Sequence, residues 1–205
     1  MLNKVKLSKM ILLLSVILVV LFLVGALNAQ QAGLKGKKIV QLGIVVNDSE
    51  KAAKRYAEVF GIGTWKLFEF KPKNVIMHDK AITEECVCKV AMGQLGDIQV
   101  ELIQPVSGPS TWMEYFEKHG QGLHHVSFGR LEDHDEMLAA FQKAGYQIEM
   151  QGVLGDAITF TNVGTRDDLG IIYEFVKVNP AIPSTLKPYG TYEHKGAGLV
   201  DLKGK

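Results

Sequence analysis

The side chains best suited to chemistry in this sequence are an imidazole, carboxylates and an amide set into runs that otherwise read as buried strands. GLHHVSF, starting at Gly122, puts adjacent histidines in one such run. Successive side chains of a strand point to opposite faces, so His124 and His125 are expected to do different work. In GIIYEFVKV, alternation places Ile172, Glu174 and Val176 on one face and Ile171, Tyr173 and Phe175 on the other. A carboxylate between aliphatic neighbours needs a cation, a partner or water, because burying it charged and alone costs several kcal/mol. DIQVELIQP repeats the pattern: Ile98, Val100 and Leu102 pack, while Gln99, Glu101 and Ile103 face the other way. The first strand adds Gln41 on the face shared by Ile39, Gly43 and Val45, and the central strand adds His125 with Leu123, Ser127 and Gly129.

Gln41, Glu101, His125 and Glu174 would supply one nitrogen and three oxygens to a divalent ion, leaving two positions of an octahedral site for water or substrate. Zinc, nickel, cobalt, manganese and magnesium all suit that mixture. The competing reading makes these residues structural, with Glu101 and Glu174 paired to Lys or Arg across the sheet. Cys86 and Cys88 lie two apart on one strand face, poorly placed to bridge each other, and read as packing residues.

The elements that must position these groups follow from periodicity. A strand over 38–46 ends at Asn47-Asp48-Ser49, a helix-start signal, and a helix runs to Phe60, closed by Gly61. Strands follow at 65–70, 86–92 and 98–104, with a loop containing Pro72 between the first two. A linking helix spans Thr111 to His119. Then the order restarts: a strand at 122–129, a helix at 133–144, and strands at 146–150, 157–162 and 170–178. The expected fold is therefore α+β, with two tandem βαβββ modules, about 38–104 and 122–178, forming a curved mixed sheet around a cleft and carrying helices on the outer face. Residues 179–205, rich in Pro and Gly, read as an extended tail. His78, His119 and His134 fall in loops or at helix ends and are expected to be solvated.

Lys4, Lys6 and Lys9 precede an apolar run from Met10 to Leu27, so residues 1–30 read as a signal peptide or membrane anchor. The domain after it is expected to be exported, periplasmic or extracellular, touching a membrane only through that segment. With hydrophobic residues at 47% the rest can bury a substantial core, and a formal net charge of +1 without a basic stripe excludes a nucleic-acid binder.

The runs VVNDSEKAAKRYAEVFGIG, VELIQP, FEKHGQGLHHVSF and LGIIYEFV resemble the vicinal oxygen chelate superfamily, which includes glyoxalase I, methylmalonyl-CoA epimerase, extradiol dioxygenases and fosfomycin-resistance proteins. FEKHGQGLHHVSF is most similar to the epimerases. The resemblance implies that His125, Glu101 and Glu174 are metal ligands. Gln41 stands where epimerases usually carry His, but a Gln is used there by eukaryotic-type glyoxalase I. The epimerases' second catalytic carboxylate aligns with Lys89. The activity implied is that of a metal-dependent isomerase, epimerase or lyase working through an enediolate-like intermediate, with Glu174 as base and Lys89 as its counterpart. The small substrate would be oxygenated, and the chain would pair as a homodimer. Alternatives are a non-catalytic small-molecule binder of the same fold and a dioxygenase.

Overall fold

The computed structural model describes residues 34 and 36–196; the leader read at 1–30 lies outside the described residues. In chain order the elements are β1 (Gln41–Val45), α1 (Ser49–Phe60), β2 (Thr64–Phe70), β3 (Lys73–Met77), β4 (Lys80–Ala81), β5 (Val87–Leu95) and β6 (Ile98–Ser107). They continue with α2 (Thr111–His119), β7 (Gly122–Arg130), α3 (His134–Lys143), β8 (Ile148–Leu154), β9 (Ile158–Val163), α4 (Arg166–Leu169), β10 (Ile172–Val178) and β11 (Gly190–Glu193). All strands join one curled mixed sheet in the order β11-β2-β5-β6-β1-β7-β10-β9-β8-β3-β4. The two βαβββ modules are its two halves, meeting where β1 pairs antiparallel with β7.

Local chemistry sets the helices. Asp48 caps α1 by accepting from the Lys51 amide at 2.9 Å, and Gly61 ends it in the left-handed region at φ 70°. Ala53 and Ala57, four residues apart, bring this helix onto Trp65, Ala91, Val100 and Leu102 on the outer face of the first half. On the second half, Phe141 of α3 packs against Tyr173 and Phe175. The inner face carries the other apolar cluster, with Phe70, Val90, Ile103, Trp112 and Phe160 drawn from both halves. Cys86 and Cys88 are free thiols within it, and burial pushes both up in pKa, so they remain protonated packing groups.

Several segments differ from expectation. The loop around Pro72 continues into β3 and β4, and β3 crosses to the second half to pair with β8. The tail is extended but not free, since β11 pairs antiparallel with β2. His134, expected in solvent, is buried, its ring bonded to Asp135 and Thr161 at 2.9 and 3.2 Å. Among the described residues no helix is long and apolar enough to cross a membrane.

Candidate metal centre

The middle of the sheet runs β6-β1-β7-β10, and each of these strands carries one of the singled-out polar residues. Glu101 on β6 and His125 on β7 both register with Gly43 of β1, and Glu174 of β10 registers with Ser127 of β7. Directly opposed residues project to the same face, so Glu101, His125 and Glu174 turn together into the inner cavity. That cavity, about 450 Å³, is lined by Gln41, Glu101 and Glu174 among others.

His125 is fully buried, and its Nε2 has no hydrogen-bond partner among the described residues. Carboxylate oxygens of Glu101 and Glu174 stand 3.5 and 3.6 Å from that nitrogen. These gaps are long for hydrogen bonds, whose usual length is about 2.9 Å. An ion between them would hold its donors at such a spacing, since ligands about 2.1 Å from a tetrahedral metal lie roughly 3.4 Å apart. Gln41 lines the same cavity: its Nε2 donates to Gln99 Oε1 at 2.7 Å, and its own amide oxygen has no partner among the described residues. An orphaned imidazole nitrogen, flanking carboxylates and a free amide oxygen fit a divalent cation.

Gly43 makes this packing possible. A Cβ there would overlap the His125 imidazole, so the ring lies directly over the β1 backbone. Strict alternation of the two histidines does not hold. The β1–β7 ladder slips between Gly43 and Ile44, leaving His124 as an extra residue in the strand. The slip brings His124 Nδ1 within 3.1 Å of His125 Nδ1, with the rings edge-to-face at 88°. Burial first, then His125 and Arg166, holds His124 well below the usual histidine range, so it is neutral and can accept. A His125 whose Nε2 is left to bind an ion carries its proton on Nδ1 and gives it to His124. The other side of His124 meets Tyr115 of α2, edge-on at 5.4 Å.

Burial would lower the pKa of His125, but Glu174 and Glu101 outweigh it and raise the group overall. Burial also raises Glu174, helped by Glu101 and opposed by His125 and Ser127, and carries it up to about 7. Lys89 is placed elsewhere. It shares its β5 face with Ala91, which packs under α1, while Met92 and Gln94, of the opposite parity, line the cavity. Sequence reasoning missed the work of Gly43, Gln99 and Ser127. Only Gly43 carried a signal, a glycine inside an otherwise β-branched strand. It also passed over Asn162, fully buried across the ladder from Glu174, whose amide atoms have no partner among the described residues.

The sequence model of the glyoxalase/bleomycin resistance protein/dioxygenase superfamily matches residues 40–160. The chain belongs to this superfamily. A relative from Bacillus subtilis (strain 168), the uncharacterized protein YqjC, is 28% identical over 141 residues, which is 67% of this chain and 89% of that protein. Among solved structures, a variant of Streptomyces coelicolor methylmalonyl-CoA epimerase in complex with 2-nitronate-propionyl-CoA is similar at TM-score 0.49 and 20% identity, covering 69% of this chain and 97% of that one. A mutant 4-hydroxymandelate synthase from the same organism is similar at TM-score 0.47 and 15% identity, covering 79% of this chain and 44% of that one. The superfamily's half-barrel of paired βαβββ modules is the architecture described above.

Proposed function

We propose that the protein is a metal-dependent isomerase or lyase of this superfamily, acting on a small substrate with neighbouring oxygens. The observation that carries this reading is the buried, unpartnered His125 Nε2 with two carboxylates beside it. Gln41, Glu101, His125 and Glu174 would hold the ion. When bound, a divalent ion supplies Lewis-acid polarisation of a substrate carbonyl. Glu174 does the proton work: its carboxylate, moving off the ion, can take a proton from the carbon beside that carbonyl and return it. Because Lys89 packs on the helix-covered face, a single carboxylate serving both transfers suits the site better than an epimerase with a carrier on each side. The basic and apolar leader supports placing this chemistry outside the cytoplasm, and a homodimer is the assembly its family resemblance suggests.

The test combines elemental analysis with proton exchange. The expected result is about one divalent ion per chain, lost in His125→Ala, together with exchange of the α-proton of a hydroxyketone or hydroxyaldehyde from a panel followed by NMR in D2O. Glu174→Gln should slow that exchange about 10²–10⁴-fold. A protein that takes up no zinc, nickel, cobalt, manganese or magnesium would be a non-catalytic binder instead.

A further inference from the structure

The cavity beyond the proposed ion site is built from core side chains. Phe70, Met92, Trp112, Leu154, Phe160 and Leu186 line it, and five of these come from the two halves of the sheet and α2. The sixth comes from the tail. After β10 the chain bonds back to the β8–β9 turn, where the Thr185 amide donates to Gly155 O at 2.9 Å and the Thr185 hydroxyl to Asp156 at 2.9 Å. It then reaches β2 of the other half, where the Tyr189 amide donates to Leu67 O at 2.8 Å and β11 begins. Between these anchors Leu186 is the one side chain of 181–189 that is not exposed. Gly155 lets the tail approach this closely, since a Cβ there would lie 2.6 Å from the Leu186 amide nitrogen.

Apart from Glu101 and Glu174, the charged side chains lining this cavity are Asp97 and Arg130, one of each sign and both exposed. Nothing in that lining gathers cations for a phosphate chain, which needs several Arg, Lys or backbone donors.

We propose that the ligand of this site, taken as the ion centre described above, joins its chelating oxygens to an uncharged apolar body, and that the tail acts as a strap whose Leu186 forms one wall against that body. About 450 Å³ suits a ligand of modest size, and the strap makes its fit a property of both halves of the sheet and of the tail together.

The test uses the full chain loaded with cobalt(II) and hydroxamates, which chelate through neighbouring oxygens. Acetohydroxamate, hexanohydroxamate and the monohydroxamate of adipic acid are titrated against the cobalt visible spectrum in one buffer and detergent. Hexanohydroxamate is expected to bind at least tenfold tighter than acetohydroxamate, and the adipic compound, with a charged end, no tighter than acetohydroxamate. Leu186→Ser should remove most of the preference and Leu186→Val a smaller part, which also controls for partition into detergent. Equal binding of all three compounds would overturn the apolar body while leaving the ion centre standing. A preference untouched by either Leu186 variant would overturn the role of the strap. If cobalt does not load, the ion reading fails and the chamber is read alone: in Trp65→Phe, hexanamide should change Trp112 fluorescence where acetamide does not, and no change would overturn the chamber as well.

Discussion

At the scale of single residues, the centre depends on a missing side chain as much as on those present. Gly43→Ala puts a methyl group into the space of the His125 ring, so it is expected to cost about 1–3 kcal/mol in urea unfolding and to abolish the cobalt spectrum. Glu174 gives a pH signature to the metal-free protein. Its folded pKa is raised from 4.5 to about 7, so its contribution to stability is fully present below pH 4.5 and lost as pH rises towards 7. In chelator, unfolding measured at pH 5 and pH 8 should show this decline, to which the raised His125 adds, and Glu174→Gln should reduce it. The grouping of Glu101, His125 and Glu174 was legible because buried carboxylates in alternating strands demand an explanation. His124 was misread because alternation presumes a regular ladder, and the slip opposite Gly43 and Ile44 is a cross-strand event with no local mark.

At the scale of elements, α2 links the sheet halves and holds both the cavity and the histidine pair through Trp112 and Tyr115. Its N-cap is Ser110, buried, whose Oγ accepts from the Met113 amide at 3.1 Å. Ser110→Ala should cost about 1–2 kcal/mol in urea unfolding and weaken hexanohydroxamate binding, because the first turn that carries Trp112 loses its cap. The sequence places this helix at Thr111 to His119, the bounds it takes in the structure. β3, β4 and β11 could not: they are short, polar or Pro-flanked, and they are strands only because an edge of the sheet accepts them. The same holds for α4, a single turn stopped by Gly170.

At the scale of the whole molecule, the sheet is most protected at its middle. Hydrogen exchange followed by mass spectrometry should find β1, β6, β7 and β10 slowest and residues 179–189 fast, matching the placement of the ion centre on the most rigid strands. The duplicated order of strand and helix was enough to foresee the paired modules, because each repeats one hydrophobic periodicity. The exchange of segments between them was not. β3 leaves the first half to cover β8, and β11 returns from the second to cover β2, so each half lends its neighbour an edge strand. That exchange orders the chain's own synthesis in time. β2 is made early, yet its outer row of amides and carbonyls waits unpaired until residue 193 has been added, so a segment made long after it closes both the sheet and the chamber.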